Sequence, residues 1–198
     1  MKKRIFDLLI AIFLIILLSP IFFFLSFLIL LNLGRPIIFK QFRSGINGRP
    51  FLIYKFRTMS NMYKSVNGEI PDHLRLRSFG KIIRATSLDE LPTLWNVVKG
   101  DMSIVGPRPL LTEYLNLYNK HQRRRLEIKP GVTGLAQISG RNRISWKEKF
   151  NLDIWYIDNQ NLWLDIKILV ITLIKVFFLS DINEKGKVTM SKFKGNKK

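Results

Sequence analysis

The chain of 198 residues contains no cysteine and only two histidines. The lack of cysteine excludes disulfide bonds and thiolate metal sites, and it suits a reducing compartment. His73 and His121 stand far apart and do not show the spacing of a metal site. Any bound metal is therefore expected to be a hard ion held through oxygen atoms, such as Mg²⁺.

Acidic residues are also scarce: 14 of them stand against 33 lysines and arginines, which gives a formal net charge of +19. Such a surface favours an anionic partner, and the candidates are anionic lipid headgroups, a phosphorylated substrate or nucleic acid. The chain has no internal repeat and no linker rich in proline and serine. We expect a membrane segment at residues 1–34, one catalytic domain at 35–185 and a loosely held basic tail at 186–198.

Charge is absent altogether from Leu8 to Leu31, a stretch of 24 residues. A straight helix of this length would rise about 36 Å, enough to cross a hydrocarbon core roughly 30 Å thick. Pro20, however, has no N–H for the carbonyl of Ile16, so we expect a break at Ser19-Pro20, where the Ser19 hydroxyl can bond the freed carbonyl. The stretch is too long and lacks the small-residue cleavage site of a signal peptide.

Basic residues flank this stretch on both sides, and such flanks tend to stay in the cytoplasm. A segment that enters, bends and leaves by the same face satisfies both flanks, which predicts a re-entrant hairpin. A spanning anchor with a proline kink remains the alternative. The flanking cations are Lys2, Lys3 and Arg4 before the stretch, and Arg35, Lys40, Arg43 and Arg49 after it.

The segment after the apolar stretch predicts a β-hairpin. Two runs of alternating character, 37–42 and 51–59, flank Asn47-Gly48, a pair that favours a turn with positive φ. The two-residue period of a strand places Lys55 and Arg57 on one face. The rest is expected to be mainly helical, so the fold class is α+β, mainly helical, with a re-entrant helix-break-helix, a small hairpin and interfacial amphipathic helices around a compact catalytic domain.

A second apolar stretch, Leu162 to Leu179, includes Asp165, Lys167 and Lys175. Charges near the centre of a span cost several kcal/mol, so we expect a helix that lies at the interface or packs on the domain. Aromatic residues precede it and favour either the headgroup region or an aromatic core. They are Trp146, Trp155, Tyr156 and Trp163.

The one adjacent pair of acidic residues is Asp89-Glu90. The run from Thr86 to Leu91 is typical of a helix start, with Ser87 as N-cap and Glu90 completing a capping box. Asp89 would then lie in the first turn, where the helix dipole favours its ionised form, able to ligate Mg²⁺ or to attack phosphorus. An ordinary helix cap without catalytic function fits the same pattern.

Arg108 stands between two prolines in Gly106-Pro107-Arg108-Pro109, so its backbone is stiff. A guanidinium displayed in this way suits phosphate binding, although a rigid turn with a solvated arginine fits equally well. Two glycine-rich loops that contain cations follow at 129–134 and 139–142. They can line a diphosphate, but neither matches the P-loop or the dinucleotide fingerprint.

Taken together, six ordered segments resemble the monotopic phosphoglycosyl transferases, also called bacterial sugar transferases. The likeness runs from the N-terminal apolar helix to about Ser191, and it is greatest to the transferase that begins Campylobacter-type N-linked protein glycosylation. The segments are 54–59 (YKFRTM), 87–92 (SLDELP), 94–97 (LWNV), 99–103 (KGDMS), 105–109 (VGPRP) and 129–134 (KPGVTG).

The resemblance implies transfer of a sugar phosphate from a UDP-sugar to undecaprenyl phosphate, with UMP released and Mg²⁺ required. It implies a helix broken at Ser19-Pro20 and a catalytic domain on the cytoplasmic face of the bacterial inner membrane. Asp89 would be the nucleophile that forms an aspartyl-phosphosugar and a ligand of the metal, with Glu90 assisting. Substrate phosphates would be bound by Lys55, Arg84 and Arg108, with Arg141 and Asp153 as further positioning candidates.

The likeness favours UDP-N,N′-diacetylbacillosamine or another N-acetylated sugar, with downstream glycosyltransferases as further partners and no nucleic acid. Two other functions fit the composition. One is a membrane-anchored basic protein that binds nucleic acid or anionic lipid. The other is a membrane glycosyltransferase that moves only the sugar and releases UDP.

Overall fold

The structure is a computed structural model, and it describes residues 2–60, 64–65, 68–69, 72–140, 143–178 and 192–196. Its class is α+β with helices predominating, as the sequence predicts. The helices are α1 (Lys2–Leu17), α2 (Ser19–Leu33), α3 (Asp72–Arg75), α4 (Ser78–Ala85), α5 (Thr93–Lys99), α6 (Lys120–Arg123), α7 (Leu135–Ser139), α8 (Trp146–Asn159) and α9 (Leu162–Phe177). The strands are β1 (Ile38–Ser44), β2 (Pro50–Phe56), β3 (Lys64–Ser65), β4 (Gly68–Glu69), β5 (Ser103–Val105) and β6 (Gly131–Thr133).

Helices α1 and α2 form a bent pair with an angle of 61° between them. The bend falls at Ser19-Pro20, as predicted, and the Ser19 hydroxyl donates to the Ile16 carbonyl at 2.8 Å. Within the described residues no single helix is long and apolar enough to cross a bilayer, while the bent pair passes that test by length and composition. Many of its large apolar side chains are exposed, among them Leu9, Phe13, Ile16, Phe23 and Leu31.

Both ends of the bent pair are fixed to the same domain. At the start of α1, the Arg4 guanidinium donates to the carbonyls of Val97 and Val98 at the end of α5, at 2.6 and 2.9 Å. At the end of α2, the buried Arg57 donates to the carbonyls of Leu33, Gly34 and Arg35. The Lys3–Arg4 cations are therefore structural contacts as well as flanking charges.

A helix-anchoring network also attaches α1 to the core, and its members are Lys3, Asp7, Ser103, Tyr156 and Asp165. Asp7 accepts hydrogen bonds from the Ser103 hydroxyl at 2.8 Å and from the Ile104 N–H at 3.1 Å. Asp165 of α9 accepts from Lys3 Nζ at 2.7 Å and from the Tyr156 hydroxyl at 2.5 Å. Both carboxylates are buried, at 3% and 0% exposure, so these bonds offset the cost of removing them from water.

The predicted hairpin is present as antiparallel strands β1 and β2, paired from Ile38↔Phe56 to Ser44↔Pro50. Asn47 has φ 54° and Gly48 has φ 76°, which confirms the turn predicted from this pair. The placement of Arg57 on the same strand face as Lys55 is wrong. Strand β2 ends at Phe56, and the Arg57 side chain turns to the end of α2 instead.

The core contains a parallel pair that the sequence analysis missed, in which β5 lies beside β6 with Ser103↔Gly131 and Val105↔Thr133 in register. The two backbones approach so closely that a Cβ on Gly131 would lie 2.1 Å from the Gly106 nitrogen. Buried apolar side chains pack around this pair and connect α1, α5, α8 and α9. They include Ala11, Val97, Met102, Ile104, Val105, Tyr156 and Ile168.

Helix α9 packs on the domain through its buried Asp165 and Ile168, which confirms one of the two predicted placements. Its opposite side exposes Trp163 at 76%, together with Val170, Leu173 and Ile174. The tryptophans before it differ in environment: Trp155 is half exposed, whereas Trp146 packs in an aromatic cluster with Tyr114, Phe150 and Phe193.

The prediction of a loosely held tail is wrong for residues 192–196. Phe193 is buried in the same aromatic cluster, with its ring centroid 5.1 Å from that of Phe150. The side chain of Asn196 is bonded to that of Gln122 at 2.7 Å. Residues 186–191, 197 and 198 lie outside the described residues.

Candidate active site

The acidic pair stands on a short turn between α4 and α5. Leu88–Glu90 forms a single 3₁₀ turn, and Ser87 before it has φ 57° and makes no capping hydrogen bond. The predicted capping box is therefore wrong. The Glu90 carboxylate, which would accept a hydrogen bond in such a box, is engaged elsewhere. Its Oε1 accepts from Lys55 Nζ at 2.6 Å and from an Arg108 Nη atom at 2.7 Å. Contacts from distant parts of the chain thus override the local cap.

Glu90 and Asp89 are neighbours with opposite pKa shifts. Burial alone would raise the pKa of Glu90, but the charges and hydrogen bonds of Arg108 and Lys55 outweigh it and hold that pKa well below its usual range. Burial and the Glu90 charge together raise the pKa of Asp89 to about 6. In the described part of the chain, Asp89 receives no hydrogen bond that would fix its carboxylate, so both of its oxygens remain available to a ligand.

Four cations surround the two carboxylates. The pKa of Lys55 is lowered, mainly by burial. The side chain of Arg108 is 47% exposed, and the charge of Glu90 raises its pKa. The Arg84 guanidinium donates to the Thr58 hydroxyl at 2.9 Å, and its charge acts to lower the pKa of Asp89. The structure thus brings together five residues that the sequence analysis proposed for the site: Lys55, Arg84, Asp89, Glu90 and Arg108.

Arg43 is the fourth cation, and from the sequence alone it is expected only as a charge that flanks the apolar stretch. It lines a small cavity of about 30 Å³ together with Lys55, Glu90 and Arg108. Burial and the nearby Arg108 charge lower its pKa to about 10, and its buried Nε has no hydrogen-bond partner. The two-residue strand period could have found it, since the pairs Phe39↔Lys55 and Arg43↔Phe51 place Arg43 on the Lys55 face of the hairpin. We call these six residues the active cluster: Arg43, Lys55, Arg84, Asp89, Glu90 and Arg108.

Asp153 is held behind Arg108 rather than beside the acidic pair. It is buried and accepts from Arg125 at 2.8 and 3.1 Å, and Arg125 in turn donates to the Arg108 carbonyl at 2.7 Å. Burial raises the pKa of Asp153, although Arg125 opposes that rise. Asp153 is therefore connected to the site through Arg125 and the backbone of Arg108. Arg141 lies outside the described residues.

The described residues contain no group of three histidine, cysteine or acidic side chains that could enclose a metal. Mg²⁺ commonly uses only one or two carboxylates and completes its shell with water and substrate phosphates. Asp89, with both oxygens available, fits that donor set better than Glu90, one of whose oxygens already accepts from two cations. The residues present are therefore compatible with Mg²⁺ held jointly by Asp89 and a phosphorylated substrate.

The sequence profile of the bacterial sugar transferases matches residues 1–179. The chain belongs to this family. The transferase is 51% identical over 194 residues to the uncharacterized sugar transferase EpsL of Bacillus subtilis (strain 168), covering 98% of this chain and 96% of EpsL. It is 39% identical to an undecaprenyl-phosphate galactose phosphotransferase of Salmonella typhimurium and 38% identical to a UDP-glucose:undecaprenyl-phosphate glucose-1-phosphate transferase of Klebsiella pneumoniae.

These two matches cover 84% and 88% of this chain, but only 38% of the Salmonella protein and 40% of the Klebsiella protein. The transferase thus corresponds to less than half of each of these two proteins, but to nearly the whole of EpsL. The relatives confirm the family predicted from the six segments. The closer likeness to the Campylobacter-type transferase is not tested by them and stays a prediction.

Proposed function

We propose that this transferase moves a sugar 1-phosphate from a UDP-sugar to undecaprenyl phosphate and releases UMP. The observation that supports this most directly is the active cluster, in which four cations surround an acidic pair whose pKa values are driven apart. The names of the Salmonella and Klebsiella relatives, which specify undecaprenyl phosphate as acceptor, support the same reaction class.

Asp89 acts as the nucleophile in this proposal. One of its oxygens attacks the sugar-proximal phosphorus, the bond from that phosphorus to the bridging oxygen breaks, and UMP leaves with the electron pair. A phosphate oxygen of the lipid then attacks the same phosphorus and breaks the aspartyl bond, which regenerates the carboxylate. Glu90 is unsuited to this role because Lys55 and Arg108 both bind its Oε1. Splitting one displacement into two is the usual advantage of covalent catalysis.

The cations supply the charge compensation on which phosphoryl transfer mainly depends. Arg43, Lys55 and Arg108 border the cavity beside Glu90, and Arg84 acts on Asp89 from the α4 side. The charge of Glu90 acts to raise the pKa of Lys55 and of Arg108, and its Oε1 accepts a hydrogen bond from each of them. Mg²⁺ bound by Asp89 and by substrate oxygens would further neutralise the diphosphate.

The bent pair is proposed to be re-entrant, with the catalytic domain at the cytoplasmic face of the bacterial inner membrane. Arg4 and Arg57 fix the two ends of the pair to one domain, which favours both ends lying on one side. A helix of 16 residues, bent by 61° from its neighbour, would reach only about 12 Å below its ends, less than half of a core about 30 Å thick. The exposed apolar side of α9 would lie in the same interface.

The test identifies the nucleotide released by the protein in vesicles that contain undecaprenyl phosphate, across a panel of UDP-sugars. We expect UMP, with an N-acetylated sugar such as UDP-N,N′-diacetylbacillosamine preferred. Release of UDP would instead indicate a glycosyltransferase that moves only the sugar. Intact-protein mass spectrometry after incubation with UDP-sugar alone should detect a phosphosugar adduct, and its absence in a protein that turns over would contradict the two-step mechanism.

A further inference from the structure

Residues 192–196 follow the stretch that the family profile matches, and one of them is deeply buried. The Phe193 side chain is 6% exposed, and its ring lies near four other aromatic rings at centroid distances between 5.1 and 6.2 Å. These rings belong to Tyr114, Tyr118, Trp146 and Phe150. Burial of an aromatic ring among so many others fixes a segment that its basic composition alone would leave solvated.

Hydrogen bonds hold the same segment to the domain. The Phe193 N–H donates to the Tyr114 hydroxyl at 3.3 Å. The side-chain amides of Asn196 and Gln122 donate to each other, at 2.7 and 3.1 Å, and Asn196 also donates to the Leu117 carbonyl at 3.3 Å. The segment is therefore bound by specific contacts as well as by packing.

Two of the rings that receive Phe193 also hold the buried Arg125. The guanidinium carbon of Arg125 lies 5.8 Å from the ring centroid of Tyr118 and 5.7 Å from that of Phe150. Arg125 is 4% exposed, and one of its Nη atoms donates to the Arg108 carbonyl at 2.7 Å. One layer of rings and one guanidinium thus connect Phe193 to the backbone of a cation in the active cluster.

The Arg108 side chain depends on a fixed backbone because little else holds it. It is 47% exposed, and among the described residues it donates a hydrogen bond only to Glu90, at 2.7 Å. The accepting oxygen is shared with Lys55. A long side chain with one such contact loses conformational entropy when it binds a phosphate, and a backbone that is already fixed reduces this loss.

We propose that residues 192–196 are a positioning element, which keeps Arg125 in place and thereby holds Arg108 ready to bind the substrate diphosphate, a role that rests on the proposed function. Without Phe193, the rings of Tyr118 and Phe150 lose their cover and water reaches Arg125, which weakens its bond to the Arg108 carbonyl. A segment that only stabilised the fold would lower the free energy of unfolding without altering Arg108 in the folded protein.

The first test needs no turnover. Full-length protein is treated with phenylglyoxal, a reagent selective for guanidinium groups, and peptide mass spectrometry follows the rate at each arginine. We expect Phe193→Ala to raise the rate at Arg108 at least threefold, because its guanidinium leaves Glu90 more often, while exposed Arg77 before α4 keeps its rate. An unchanged rate at Arg108 would overturn the proposal.

The matched control for lost stability is Ile168→Ala, which removes a buried side chain from a separate core cluster. It should leave the rate at Arg108 unchanged, and a rise equal to that of Phe193→Ala would assign the effect to general loosening. Asn196→Ala releases the segment without opening a cavity and should raise the rate about twofold. This milder variant decides the question if Phe193→Ala fails to fold, and no change in it would then contradict the proposal.

Kinetics then separates positioning from stability. We expect Phe193→Ala to raise the KM for UDP-sugar about fivefold and to change kcat per folded molecule less than twofold, and Phe193→Leu to restore most of the binding. In an Arg108→Gln background the same substitution should not raise KM further, because both changes act on one side chain. A fivefold rise that persisted there would show that the segment does not act through Arg108.

The two kinds of measurement fail separately. If the wild-type protein released no UMP with any UDP-sugar, the proposed function would be wrong. The phenylglyoxal rates would still decide whether residues 192–196 hold Arg108 in place.

Discussion

The active cluster and the helix-anchoring network both contain buried or partly buried carboxylates, yet they are satisfied in different ways. In the helix-anchoring network, every carboxylate oxygen of Asp7 and Asp165 accepts a hydrogen bond from Lys3, Ser103, Ile104 or Tyr156. In the active cluster, a single oxygen of Glu90 takes both cationic donors, and Asp89 has none in the described residues. A fully bonded network stabilises a fold, whereas an incompletely bonded one leaves groups for a ligand.

The two regions also differ in their ratio of cations to carboxylates. The helix-anchoring network joins one lysine to two carboxylates with neutral donors completing the set. The active cluster gathers four cations around two carboxylates, and one of those carboxyl groups has a pKa near 6. Excess positive charge in a partly buried site destabilises the protein unless a bound anion neutralises it. The difference between the two regions therefore separates catalysis from anchoring and can be tested residue by residue.

The largest expected effect is that of Asp89→Asn. The variant keeps the shape of the side chain but removes the nucleophile, so we expect turnover with UDP-sugar and undecaprenyl phosphate to fall by at least about 10³-fold. Its unfolding temperature above pH 6 should be at least that of the wild type, since ionised Asp89 is disfavoured by burial and by Glu90 and the neutral amide removes that cost. Near-normal turnover would show that another group attacks the phosphorus.

The matched change in the helix-anchoring network, Asp165→Asn, should have the opposite profile. It leaves Lys3 without its closest carboxylate and weakens the bond from Tyr156, so we expect a loss of about 2–3 kcal/mol in the free energy of unfolding. Activity per folded molecule should change less than twofold. Denaturant titration and active-site titration together measure both values, and a large loss of kcat without loss of stability would remove the distinction between the two regions.

The sequence identifies the active cluster better than it identifies the anchoring network. Asp89-Glu90 and Arg108 stand in distinctive local patterns, and Lys55 follows from the hairpin predicted by Asn47-Gly48. Asp7 instead looks like one acid beside a basic flank, because its partners Ser103 and Ile104 lie almost a hundred positions away. Local patterns predict chemistry that is concentrated in short motifs, whereas contacts between distant segments leave no local signal.

The errors have the same physical origin. Ser87 and Glu90 have the spacing of a capping box, but the Glu90 carboxylate accepts hydrogen bonds from Lys55 and Arg108 instead. Strands β5 and β6 contain three residues each, too few to show a two-residue period. Phe193 stands in a basic tail whose composition predicts a mobile segment, yet one aromatic ring is enough to pack against Phe150.

The pH dependence sharpens the comparison through Asp89. Its folded pKa of about 6 lies above the ordinary value of 3.8, so the folded protein holds this proton more tightly than the unfolded chain does. The resulting stabilisation is complete below the ordinary value and is lost as the pH rises through about 6. Asp89→Asn should abolish this change in the free energy of unfolding between these two pH values.

Activity should show the reverse dependence, because only the ionised carboxylate attacks. We expect kcat/KM to fall about tenfold for each pH unit below about 6, after the measured values are corrected for the ionisation of the substrate phosphates. Asp165→Asn should leave the position of this break unchanged. A break that moved in that variant would mean that the two regions are electrostatically coupled.

The smallest effect is expected from substitution of Arg43, because the active cluster contains three other cations that remain in the variant. Arg43→Gln should raise the KM for UDP-sugar about tenfold with little change in kcat, because the buried Nε has no hydrogen-bond partner and a phosphate oxygen of the substrate would supply one. Arg43→Lys keeps the positive charge without this donor, so it should restore only part of the lost binding. Arg124→Gln serves as the control, since Arg124 pairs with Asp158 on the exposed surface and should alter neither constant. An effect of equal size in both variants would make Arg43 a contributor to net charge alone and would leave Lys55, Arg84 and Arg108 as the cations of the site.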